Sequence, residues 1–153
     1  MAVSPSASAT PGLAFGYRDP KGHYIVHFPA AWDQEQTLGG IDIKTPGHLA
    51  LTGIHYTKTD ETLQQFAKRG PNIEAGTLSN FHLLSTKKTT VDGVPAVRFD
   101  YTGKNSSGVA LRGFAVYTVT NGMEYRFSFV TSTGNYDQLA PTAEAILDSI
   151  HFT

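Results

Sequence analysis

Residues 109–131 read VALRGFAVYTVTNGMEYRFSFVT. Two runs of alternating apolar and polar side chains meet at Asn121-Gly122, a dipeptide that favours a two-residue hairpin turn because both positions accept positive φ. The stretch therefore predicts two long antiparallel strands. Working outward, PAVRFDY precedes it across the turn at 104–108, with Val97, Phe99 and Tyr101 on one face and Arg98 and Asp100 on the other. Asp92-Gly93 turns that strand back onto FHLLSTKKTTV at 81–91. Connections this short join antiparallel neighbours, so the expectation is a four-strand meander.

Upstream, HYIVHF at 23–28 places Tyr24, Val26 and Phe28 on one face and ends at Pro29, which cannot donate to a ladder. IDIK at 41–44 predicts a short strand, and HLALTGIHYT at 48–57 a longer one. In the latter the apolar phase moves from Leu49 and Leu51 to Ile54 and Tyr56 across Gly53, which predicts a β-bulge. Thr59-Asp60-Glu61 opens a helix with Leu63, Phe66 and Ala67 on its apolar stripe, and Gly70-Pro71 ends it. Residues 72–80 carry no clear pattern. Downstream of the hairpin, Leu139, Ala143, Ile146, Leu147 and Ile150 recur at helical spacing after Asn135, the expected cap, with Pro141 expected in the first turn. Helices segregated against a largely antiparallel sheet define an α+β domain.

The chain has 153 residues, which suits one domain. Lys plus Arg number 12 against 13 Asp plus Glu, so the charge balance argues against nucleic acid as a partner. Cysteine is absent, which excludes disulfides, thiolate nucleophiles and Cys-ligated metals. No apolar run reaches the roughly 18 residues of a membrane helix. The first charged side chain is Arg18; residues 1–14, MAVSPSASATPGLA, have too little apolar surface to offset ordering and read as a flexible tether to a single domain at 15–153. Tethers of this kind join exported domains to membrane anchors. The expectation is an extracytoplasmic domain (secreted, periplasmic or anchored) whose only membrane association is a removed N-terminal anchor.

The order of these signatures resembles PsbP-like domains. Tyr17-Arg18-Asp19 followed by GHYIVHFPAAW, with Pro29 and Trp32, is similar to the family's opening strand; VDGVPAVRFDYTG is similar to its glycine turn and aromatic strand. The tail from Gly122 to Phe152, an aromatic strand, a Tyr-led helix and Asp-Ser-apolar-x-Phe, resembles it further. The similarity runs over about residues 17–152 and implies a Mog1/PsbP-type α/β/α sandwich with a central, largely antiparallel sheet. It also implies a binding or assembly module rather than an enzyme, as in the family's photosystem II subunits, its Ran-binding member and its exported bacterial members. No functional residue carries over, because no docking motif of the family aligns here.

Candidate chemistry comes from the residues themselves. Arg98, Arg112 and Arg126, with Asp100 and Glu124, alternate against the aromatic positions of the meander. If neighbouring strands bring them to one face, they form either cross-strand ion pairs or an Arg-rich groove for an anion or an acidic partner loop. Ala110, Phe114 and Val116 on the Arg112 side point to partial cover by a helix. Trp32, after Pro29, reads as a lid on the core or as a contact anchor. His23, His27 and His55 read as outward strand positions or as a weak divalent-metal site, although four strand residues separate His23 from His27 by about 13 Å. No other cofactor is expected. There is no G-x-S-x-G elbow, no calcium loop and no phosphate-binding glycine loop, so no catalytic residue is assigned. The expected function is non-catalytic docking on an envelope or membrane protein; the alternative is an exported carrier or sensor of a small anionic or amphipathic ligand in a sheet–helix groove.

Overall fold

The computed structural model describes residues 12–76 and 78–153. The expected tether lies outside the described residues except for 12–14. In chain order the strands are β1 (Phe15–Arg18), β2 (Tyr24–Phe28), β3 (Asp33–Thr37), β4 (Gly40–Lys44) and β5 (Ala50–Lys58). Two short helices follow, α1 (Leu63–Lys68) and α2 (Gly70–Ala75). The meander is β6 (Ser79–Val91), β7 (Val94–Lys104), β8 (Ala110–Thr120) and β9 (Met123–Ser132). Helix α3 (Tyr136–Asp148) and strand β10 (His151–Phe152) close the chain. Among the described residues no helix is long and apolar enough to cross a membrane.

Seven strands form one sheet in the order β3-β4-β5-β9-β8-β7-β6, and each pairing is antiparallel. Both short turns of the meander have positive φ at their two central residues: 49° and 76° at Asp92-Gly93, 53° and 76° at Asn121-Gly122. Their twist matches that of the flanking strands, which keeps the long hairpins in register. A second, three-stranded sheet, β1-β2-β10, lies with α3 on one face of the large sheet. Helices α1 and α2 cover part of the other face, against β6, β7 and β8. The result is the α/β/α sandwich that the resemblance implied.

Several local expectations needed correction. Strand β5 pairs in unbroken register with β4 and β9, so there is no bulge at Gly53. Its inward residues are Ala50, Thr52, Ile54 and Tyr56; Thr52 is buried because its hydroxyl donates to the Ser128 carbonyl at 2.6 Å, while Leu49 and Leu51 stay exposed. Helix α1 starts later than Thr59, at a capping box in which Thr62 and Gln65 bond each other's backbone N–H groups. Gly70-Pro71 does not end the helical region but begins α2, since proline suits a first turn. A side chain at Gly70 would meet the Phe99 ring at 2.4 Å, so glycine allows this helix to approach the sheet. Pro141 lies inside α3 rather than in its first turn, because the helix already begins at Tyr136.

The two faces hold separate cores. Beneath α3 and the small sheet lies the larger one, built around Val26, Ile41, Phe114, Phe127, Phe129 and Ile146. Beneath α1 and α2 the buried cluster is only Phe66, Phe99, Ala115 and Tyr117.

Candidate functional site

The register decides which charges can meet, because residues directly opposite each other in neighbouring strands share a face. Arg98 is opposite Val116 and Arg112 opposite Thr131, which places both on the α3 face. Arg126 is opposite Tyr117 and His55, on the α1–α2 face, and Glu124 shares that face. The single charged face expected from alternation therefore does not form. Nor are two of the arginines free. Arg98 donates from Nε to Asp100 at 3.1 Å and from Nη1 to Glu144 on α3 at 2.7 Å, and its guanidinium lies 3.9 Å from the Phe114 ring centre. Arg126 donates from Nε and Nη2 to the two carboxylate oxygens of Glu74 at 2.6 and 2.7 Å. The Tyr117 hydroxyl donates to the same carboxylate at 2.5 Å, and the Glu74 side chain is fully buried. Arg112 differs: it stacks 4.2 Å from the Tyr136 ring centre, and its buried Nε has no hydrogen-bond partner among the described residues.

The histidines are dispersed. His23 lies in the β1–β2 turn, His27 faces outward on β2, and His55 lies on the α1–α2 face of β5, 3.0 Å from Asp42. Strand β2 pairs with β1 and β10 and not with β5, so the trio does not meet. Among the described residues no three His, Cys, Asp or Glu side chains are grouped to hold a metal ion. Trp32 packs partly buried against the larger core.

The structure instead brings together residues from four separate segments. The β1–β2 turn, the β3–β4 hairpin tip, the end of β5 and the start of β9 enclose a cleft of about 930 Å³. Asp19 forms part of its wall. It is 4 % exposed, yet both carboxylate oxygens are engaged: the Tyr56 hydroxyl donates at 2.9 and 3.0 Å, and the His23 backbone N–H and Nδ1 donate at 3.1 and 3.0 Å. Burial, then the bond to Asp19, pushes the Tyr56 phenol up from its usual range. Gly22, at φ +79°, donates its N–H to the Asp19 carbonyl at 2.8 Å and closes the turn that holds the carboxylate in place. Gln36 donates to the Tyr17 hydroxyl at 2.9 Å across the cleft's other side.

Tyr17, Tyr56 and Met123 supply apolar surface, and Leu38 stands wholly exposed at the hairpin tip. Lys21 and Lys58 line the cleft, and among the described residues neither reaches a carboxylate. From the sequence, Asp19 had no role beyond its place in the opening Tyr17-Arg18-Asp19. The Asp-Pro-Lys-Gly-His turn is the signal that was there, since Asp followed closely by a glycine of positive φ is a carboxylate poised to bond its own turn.

No family model matches the chain, and no curated protein matches it by sequence. Solved structures do match. Cyanobacterial PsbP (CyanoP) from Synechocystis superimposes with a TM-score of 0.71 at 15 % identity, covering 94 % of this chain and 95 % of that one. LpqN, described as involved in cell envelope biogenesis of Mycobacterium tuberculosis, gives 0.64 at 14 % identity over 91 % and 90 %. The protein Mog1 gives 0.57 at 10 % identity over 90 % and 94 %. The chain has the Mog1/PsbP fold, as the resemblance implied.

Proposed function

We propose that this domain is a non-catalytic, extracytoplasmic binding module that docks on an envelope or membrane protein, and that the cleft is its contact surface. The observation that carries the reading is the cleft's composition: an apolar floor of Tyr17, Tyr56 and Met123, a wholly exposed Leu38 at its lip, and two lysines that reach no carboxylate among the described residues. Covering such apolar side chains with a partner removes them from water, which favours association. The non-catalytic reading takes Asp19 as a structural acid, whose carboxylate ties its own turn to Tyr56 on β5 by accepting from the His23 backbone N–H and Nδ1 and from the Tyr56 hydroxyl. LpqN's involvement in cell envelope biogenesis, on the same fold, supports the envelope assignment by analogy. The carrier alternative has less support, since Arg98 and Arg126 are consumed by internal carboxylates and lie on opposite faces.

Cross-linking capture from the native envelope fraction tests the proposal, with the full chain as bait beside Leu38→Asp and a control, Lys87→Glu, on the distant edge strand β6. A partner held by the parent and the control but lost by Leu38→Asp is expected. Capture unaffected by Leu38→Asp overturns the assignment of the cleft.

A further inference from the structure

The charges at the cleft are unequal in availability, and that inequality describes what the cleft selects. Asp19 is the one acidic residue in the lining. Its carboxylate keeps its charge but is nearly buried in the wall, accepting from the Tyr56 hydroxyl and from two N–H groups of His23. On neighbouring segments Glu61 and Glu124 are held by Arg69. Lys21 and Lys58, by contrast, are exposed and unpaired among the described residues. The exposed charges that the lining offers to an approaching group are therefore the two ammonium groups. Lysine ammonium is a hydrated point charge that sets sign rather than geometry, so it steers acidic chains without demanding one bidentate partner.

The walls add shape. They are two turns and two strand ends, with no helix residue among them. In an extended chain successive side chains alternate at about 3.3 Å per residue, so one set can face the aromatic floor while the other meets the lysines.

We infer that the cleft takes an acidic, extended segment of a partner protein, with an aromatic or aliphatic side chain set against Tyr17, Tyr56 and Met123 and carboxylates set against Lys21 and Lys58. The inference rests on the docking reading above and adds the partner's chemistry to it.

End-blocked peptides added to the full chain test it, with backbone amide resonances as the readout. The probes are Glu-Phe-Glu-Leu-Glu, its Lys-for-Glu counterpart, its Ala-for-Phe/Leu counterpart, and decanoate as a free amphipathic carboxylate. The first peptide is expected to move the amides of Leu38, Gly39 and Lys58. Its Kd is expected to rise about tenfold or more in Lys21→Glu/Lys58→Glu, a change of about one decade in affinity per 1.4 kcal/mol, and to rise with salt in the parent. The Ala counterpart is expected to bind more weakly than the first. Equal or tighter binding of the basic peptide, silence of the cleft amides to every peptide, or a response to decanoate alone overturns the inference. The two readings fail separately. Capture lost with Leu38→Asp while the peptides show no preference for acid removes only the acidic selectivity; capture indifferent to Leu38→Asp removes the docking reading itself.

Discussion

The two faces of the seven-stranded sheet are held by different physics. On the α3 face a broad apolar cluster fills the space beneath a helix and a second sheet, and the one strongly bonded arginine there, Arg98, lies over Phe114 at its margin. On the α1–α2 face two six-residue helices cover a cluster of four buried apolar residues, of which only Phe66 is helical, and then a buried ion pair, Glu74 with Arg126, tied to Tyr117. Helices this short are marginal alone. The lesson is that α2 depends on a directional clamp where α3 adds an ion pair, Glu144 with Arg98, to a broad apolar contact, and that arginines alike in alternation are spent in unlike ways.

The largest expected effect is alkaline. Tyr24 and Tyr125 belong to the α3 face, Tyr101 and Tyr117 to the other, and burial is the leading cause that raises all four phenols, Tyr125 to about 12. Their folded values lie above the ordinary value of 10.0, so the stability they contribute is complete below pH 10 and is lost as pH rises beyond it. Each costs roughly 1.4 kcal/mol per pH unit in that window. Phenolate absorbance followed beside circular dichroism should show these tyrosines ionising together with unfolding; ionisation near pH 10 in a still-folded protein would contradict their burial.

Next in size is Glu74→Ala. Removing one member of a buried pair costs about 3–5 kcal/mol, and the lower end applies because Arg126 keeps 28 % of its side-chain surface in water. Urea unfolding measures it. If the clamp is what distinguishes this face, Glu74→Leu combined with Arg126→Met and Tyr117→Phe should regain most of the loss, since no buried charge is then left unpaired. Failure of the triple variant to recover would mean that packing of α2, not the ion pair, dominates there. On the α3 face Ile146→Val, which deletes one methylene from a side chain with no exposed surface, should cost about 0.5–1.5 kcal/mol. That loss should be indifferent to salt, whereas dependence on salt would blur the contrast between the faces.

Most of the fold was legible because the meander announces itself locally. Asn121-Gly122 and Asp92-Gly93 need left-handed backbone that these residues accept, and the alternation on either side sets which residues point together. Strand β3, DQEQT, was invisible for the opposite reason: it is a nearly all-exposed edge strand with no apolar phase to read. Glu74 sat in the stretch without a pattern, and only the approach of α2 through Gly70 shows why a lone acid belongs there. Alternation within one strand assigns two sides but not a common side between strands. A register that sets Arg98 opposite Val116 and Arg126 opposite Tyr117 sends those arginines to opposite faces. The cleft was less legible still, because its residues come from four turns and strand ends that only the assembled fold brings together.

Arg112 gives the smallest and most discriminating prediction. It lies on the apolar face, yet no carboxylate reaches it among the described residues, and its buried Nε is unsatisfied. Two opposing contributions attach to its guanidinium. Stacking on Tyr136 is worth about 0.5–1 kcal/mol, while a buried donor without a partner costs about 1–3 kcal/mol. Methionine keeps the unbranched stem that packs on the ring and removes the donor. Arg112→Met should therefore leave stability within about 1 kcal/mol of the parent or raise it, whereas Arg126→Met alone, which strands the Glu74 carboxylate, should cost several-fold more. A loss of similar size at both positions would show that Arg112, like Arg98 and Arg126, is held by an internal anion.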